Sequence, residues 1–165
     1  MSGIDRFLDH ASRYAEGFDK GGLSARPASR AAVVCCMDSR INLFTLLGLA
    51  EGEAHVIRNA GGIVTDDVER SLCLSQRALG TEEVLLLHHT NCGLLGVDDD
   101  TFADELEADT GVRPPWRVGG FTDVEADVRQ SMERLRSSPF LANTKVIRGF
   151  VYDVDTGKLN EVLPG

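Results

Sequence analysis

Cys36, His89 and Cys92 are the residues of this 165-residue chain whose types and placement could hold a transition metal. Cys36 closes the run Val33-Val34-Cys35-Cys36 and is followed by Met37-Asp38-Ser39-Arg40, while His89-Thr90-Asn91-Cys92-Gly93 follows a second apolar run. Two thiolates and one imidazole are a zinc donor set, one ligand short of a tetrahedron. A structural zinc site is normally closed by four firm ligands, whereas a catalytic one keeps a position for water or substrate. The shortfall therefore points to catalysis.

Cys36-x-Asp38-Ser39-Arg40, then Arg58-Asn59-Ala60-Gly61-Gly62, then His89-x-x-Cys92-Gly93, taken in that order, resembles the motif set of the β-class carbonic anhydrases. The larger, plant-type members carry a glutamine upstream of the first cysteine. The only glutamines here are Gln76 and Gln130, so the chain resembles the short, archaeal-type branch. The resemblance implies one Zn(2+) per chain on Cys36, His89 and Cys92. It implies reversible hydration of carbon dioxide to bicarbonate and a proton by attack of zinc-bound hydroxide. Asp38 is expected to accept a hydrogen bond from that hydroxide, and Arg40 to hold Asp38 in a charge-assisted pair. In a closed state Asp38 itself would take the fourth position on zinc. Asn59, Ala60, Gly61 and Gly62 would shape the substrate pocket through backbone groups, with a purely structural turn as the alternative. A homodimer or dimer of dimers is implied, with the active site near the subunit contact.

Two rival chemistries stay in view, and a third fails on spacing. Related folds hydrolyse carbon disulfide or carbonyl sulfide at the same zinc, and a non-catalytic zinc-binding homologue is the other alternative. A thiol phosphatase also sets a cysteine at a strand end in a loop closed by arginine. Only three residues separate Cys36 from Arg40, too few for an anion cradle.

The elements that must position these groups read as one α/β domain spanning residues 1–165. Ile4, Phe7, Leu8, Ala11, Tyr14, Ala15 and Phe18 recur at helical spacing, which predicts an N-terminal helical arm over about 4–18, ended by Gly21-Gly22. The arm's stripe could pack on the chain's own sheet or on a second copy. Residues 31–36 lack polar alternation, the mark of a strand covered on both faces in a parallel sheet. A short helix over 43–49, a strand over 54–57, a helix from a Thr65 cap to Leu79 and a strand over 84–87 follow. Asp98-Asp99-Asp100 and Phe102 to Ala108 suggest a short acidic helix; as a calcium site Asp98 to Asp100 lack the spacing and glycine of an EF-hand, and a solvated acidic loop is the better account of them. Thr122 and Glu125 form a capping box for a helix carrying Val128, Met132 and Leu135. Strands over 145–154 and 159–163 make a hairpin edge. The resemblance implies a mostly parallel central sheet of order 2-1-3-4 plus an antiparallel edge strand, flanked by helices. Such sheets bind ligands beyond their carboxyl ends where the strand order reverses. The ends carrying Cys36 and His89 would meet there.

Composition sets the outer limits. A net charge of −9 argues against nucleic acid, which demands a concentrated basic surface. No apolar run reaches the length of a membrane span, and the first residues lack a secretory pattern. Cytoplasm is the expectation. Four cysteines in this arrangement do not read as a disulfide framework. Cys35 and Cys73 read as core fillers. Cys35 is expected on the strand face opposite Cys36. His88 reads as a buried neighbour of the ligand, and His10 and His55 have no constellation around them.

Overall fold

A computed structural model describes residues 2–165. Five strands form one sheet in the order β2-β1-β3-β4-β5: β1 (Ala31–Cys36), β2 (Ala54–Asn59), β3 (Glu83–His89), β4 (Val146–Tyr152) and β5 (Leu159–Val162). The first four pair in parallel, and β5 runs antiparallel to β4. Because β1 has β2 on one side and β3 on the other, the chain reverses its direction of travel across the sheet between them. Cys36 pairs with Asn59 at that end of the sheet, and Cys35 with Leu87, two residues before His89.

The helices are α1 (Gly3–Glu16), α2 (Leu43–Leu47), α3 (Asp66–Arg77), α4 (Asp99–Thr110) and α5 (Val124–Arg136). They cover the two faces of the sheet unequally. On one face Val68 and Leu72 of α3 and Val128, Met132 and Leu135 of α5 pack against Ala32, Val34, Leu86 and Ile147. This is an ordinary sealed core, in which truncating Leu86 or Leu135 to alanine would cost about 2–5 kcal/mol. On the other face α2 and two irregular segments, around Leu94 and Phe121, gather with Val33, Cys35 and Leu87, and the cluster continues to Cys36, the last residue of β1, and Cys92, just past β3. The functional face is thus closed mainly by loops.

The ends of several helices differ from the sequence expectation. The arm is Gly3–Glu16, started by a reciprocal Ser2–Asp5 capping box, and buries none of its residues. Of the two covers its stripe could have, the chain's own sheet is not one. Helix α3 keeps its Thr65 cap but ends at Arg77. Helix α5 is capped by Asp123, whose carboxylate accepts from the Glu125 and Ala126 amides. Thr122 lies one residue too early, because a nearer and stronger acceptor claims the first amides. The acidic run is not a solvated loop: Asp98 caps α4 and Asp99 lies in its first turn with its side chain largely covered.

Candidate metal centre

Sheet register does the first part of the assembly. It ends β1 at Cys36 beside the end of β3 at His89, and a turn after β3 brings Cys92 back. Asn91 makes that turn at φ +53, in the left-handed region that asparagine tolerates better than most residues. The donor atoms of Cys36, His89 and Cys92 lie within 4.8 Å of one another, and all three residues are buried. Among the described residues this is the one cluster of its kind. Asp38 stands beside it, with Oδ2 3.8 Å from His89 Nε2.

The donor chemistry fits a metal. His89 Nδ1 lies 2.9 Å from the Thr90 carbonyl oxygen, which can only accept, so Nδ1 carries the proton and Nε2 presents a lone pair. That Nε2 is buried and has no partner in the protein. Burial pushes the Cys36 thiol up, but the adjacent His89 ring and the Asp38 and Gly61 amides outweigh it and hold the group below its ordinary value. Cys92 is raised, by burial first and also by the neighbouring Cys36. Two buried thiolates at such range repel, and a divalent cation is the charge that would reconcile them. Cys35 is buried too, and burial pushes its thiol up to about 11, so it stays protonated and outside the donor set.

Arg40 holds Asp38 in a two-pronged pair, Nε to Oδ1 at 2.9 Å and Nη2 to Oδ2 at 2.7 Å. The Arg40 amide adds a third bond to Oδ1 at 2.9 Å. These bonds keep the Asp38 carboxyl well below the usual carboxylate range, so it is an acceptor at any working pH. Arg40 Nη2 also donates to the Asn91 carbonyl at 2.8 Å, joining the two ligand loops.

Between them lies the glycine turn. Met37 N donates to the Asn59 carbonyl, and the Asn59 side chain donates to the Ile63 carbonyl, closing its own turn. Ala60 to Gly62 form one turn of 3-10 helix with Gly61 and Gly62 buried. At Gly62, φ is +71 and an added Cβ would lie 2.7 Å from Cys36 N and 3.0 Å from the Leu87 carbonyl oxygen. The backbone must pass there bare. Sequence reasoning gave Arg58 no role, yet its guanidinium donates to the carbonyls of Cys36, Asp38 and Ile41 at 2.9, 2.7 and 3.3 Å. A charged residue closing an otherwise covered strand was the available signal. His88 faces away from the metal cluster, with Nδ1 3.0 Å from Asp127 Oδ2 on α5.

Fold and site together define an α/β protein with a three-residue Cys/His/Cys metal-binding cluster at the carboxyl ends of a mostly parallel sheet. The comparisons narrow this. The family model described as carbonic anhydrase matches residues 31–113. Beta-carbonic anhydrase 1 of Mycobacterium tuberculosis is 51% identical over 164 residues, covering 99% of this chain and 100% of that protein. A carbon disulfide hydrolase of Acidithiobacillus thiooxidans is 34% identical, over 81% of this chain and 77% of that one. Among solved structures, a carbonic anhydrase from Streptococcus mutans superposes with a TM-score of 0.91 at 42% identity, covering 99% of each chain. The chain belongs to the β-class carbonic anhydrases, enzymes that hydrate carbon dioxide to bicarbonate.

Proposed function

We propose that this chain carries out that hydration with one Zn(2+) per chain, held by Cys36, His89 and Cys92. The observation carrying the reading is the pairing of an incomplete donor set with a carboxylate at its edge that Arg40 holds fully ionised. Zinc bound there would supply Lewis acidity, turning water into a nucleophile near neutral pH. Everything else falls to the protein. Asp38 accepts a hydrogen bond from the attacking oxygen and so aims its lone pair at the carbon of CO2. Arg40 keeps that acceptor charged and turned toward the metal, and Arg58 fixes the carbonyls of the loop on which both sit. Asn59, Ala60, Gly61 and Gly62 contribute shape and the Gly61 amide rather than side-chain chemistry.

Asp38 has a second candidate partner, a metal held by Cys36, His89 and Cys92, and reaching it would mean releasing Arg40. Hydroxide would compete with the carboxylate for such a metal better as pH rises. The rate is therefore expected to be low near pH 6.5 and to climb toward pH 9, across the span of about 7 to 9 in which metals acidify water. Metal analysis combined with stopped-flow CO2 hydration over that range tests the reading. Zinc below half an equivalent, or full zinc with no hydration, would defeat it. Carbon disulfide and carbonyl sulfide go into the same assay, because a relative named for carbon disulfide hydrolysis shares 34% identity. We favour CO2 because the mycobacterial carbonic anhydrase spans essentially the whole chain.

We also propose a homodimer or a dimer of dimers, with α1 as an arm laid on the second copy. Ile4, Phe7, Leu8, Tyr14 and Phe18 are 67, 65, 61, 56 and 50% exposed, an apolar stripe too large and too continuous for a finished monomer surface. The short, archaeal-type branch rests on the missing upstream glutamine alone, and the relatives at 51% identity are mycobacterial. No helix among the described residues is long and apolar enough to cross a membrane, and all four cysteines are free. Free thiols support a cytoplasmic setting.

A further inference from the structure

Within the acidic run at the start of α4, Asp99 behaves unlike its neighbours. Its side chain is 11% exposed, against 83% for Asp100. Oδ1 accepts the Gly119 amide at 2.7 Å and the Gly120 amide at 3.2 Å, and Oδ2 accepts Arg117 Nε at 2.7 Å. One carboxylate thus gathers two consecutive backbone donors and a guanidinium. Bonds of this charge-assisted kind are about twice as strong as neutral ones.

The segment it gathers is wedged tightly. A Cβ on Gly119 would lie 2.2 Å from Ile63 Cδ1, and one on Gly120 would lie 2.0 Å from the Val97 carbonyl oxygen. Ile63 directly follows the glycine turn, and Val97 closes the loop that starts at Cys92. The next residue, Phe121, accepts from the Gly96 amide at 2.7 Å and donates to the Leu94 carbonyl at 3.2 Å. Inside that loop the Leu95 amide donates to the Cys92 carbonyl at 3.1 Å. Phe121 is buried in the same apolar cluster as Cys36, Cys92 and Leu94. Residues 119–121 therefore form a strap across the Cys92 loop, and Asp99 buckles it.

We propose that Asp99 is a positioning residue of the metal centre: by fixing the strap through Gly119 and Gly120 it holds the Cys92 loop in its ligating geometry and slows metal loss. The inference rests on the metal-centre reading above. Partners beyond the ligand shell of a metal site are worth about 10–100-fold in affinity, and Asp99 acts at one remove further.

The test measures zinc release from the loaded enzyme to an excess of chromogenic chelator, for the parent, Asp99→Ala, Asp99→Asn and the exposed control Asp100→Ala. Release is expected about 10-fold faster in Asp99→Ala, at the low end of that range. Asp99→Asn, which keeps one acceptor oxygen, should fall between it and the parent, and Asp100→Ala should match the parent. In cobalt-substituted protein, the thiolate-to-cobalt charge-transfer band should weaken in the same order. Amide hydrogen exchange on the metal-free proteins supplies an independent reading: Gly96 should exchange faster along with Gly119 and Gly120. Parent-like release and cobalt spectra for both Asp99 variants would overturn the proposal. So would faster exchange at Gly119 and Gly120 with Gly96 unchanged. A parent that takes up no zinc would instead overturn the metal-centre reading, leaving the strap to be judged on Gly96 exchange alone.

Discussion

The metal loops and helix α1 are two parts of one chain finished to different degrees. Around Cys36, His89 and Cys92 the chain supplies many partners itself: a carbonyl for His89 Nδ1, a carboxylate and a carbonyl for Arg40, and carbonyl acceptors for Arg58. Helix α1 supplies its own cap and little else, leaving its apolar side chains bare. A single copy therefore supplies the partners of the metal cluster, while the stripe on α1 is left for the proposed dimer to cover. If this contrast is right, damage to the first region should abolish reaction without changing mass, and damage to the second should change mass while sparing the metal.

The most severe break is Cys36→Ser. It should lose zinc and lower CO2 hydration by at least about 1000-fold, since the step depends on the metal's acidity. Cys35→Ser, one residue away, should keep both within about 2-fold, because its thiol is a protonated core filler. Metal analysis and stopped-flow rates on the pair decide it; zinc retained by Cys36→Ser would remove Cys36 from the donor set.

Arg40→Ala comes next, expected to run about 100-fold slower with zinc still bound, in the range seen when one preorganised electrostatic contact is lost. Asp38→Ala should behave similarly. An Arg40→Ala enzyme as fast as the parent would mean that the grip on Asp38 does not matter to turnover.

Deleting residues 1–20 probes the other side of the contrast. The mass at micromolar concentration in analytical ultracentrifugation should drop by half or more, with zinc still at one per chain. A parent that already sediments as a 17.9 kDa monomer would end the dimer proposal.

The smallest expected effect concerns the sealed face. Asp123→Ala should destabilise the protein by about 1 kcal/mol, the usual worth of a helix cap, while Thr122→Ala should be near neutral. Denaturant midpoints on the two variants measure it. Equal losses would mean that the cap is shared.

What the sequence disclosed divides along the same line. Strands β1 and β3 were legible because apolar runs stopped abruptly at metal-binding residues, and the sheet order followed from the family resemblance. Cap positions were less legible: Thr122 and Asp123 are both good caps, and only three-dimensional reach chooses between them. Helix α4 was legible as a short acidic helix but not in its bounds, because none of its residues is buried and no apolar stripe marks its ends. Arg58 and Asp99 act on backbone groups distant in sequence, a partnership that no spacing rule exposes. The bare stripe of α1 was plain in the sequence, but whether the chain covers it was a question of tertiary packing.

Gly62 carries a consequence for how this gene can drift. Its backbone passes so close to Cys36 and Leu87 that no Cβ fits without moving main chain in two strands at once. Every missense change of a glycine codon installs a Cβ, so the first mutational step away from position 62 displaces both ligand-bearing loops together. There is no gentle intermediate such as alanine through which a lineage could pass. In a library of random variants selected for growth that depends on CO2 hydration, codon 62 should accumulate synonymous changes alone, while neighbouring surface codons diversify.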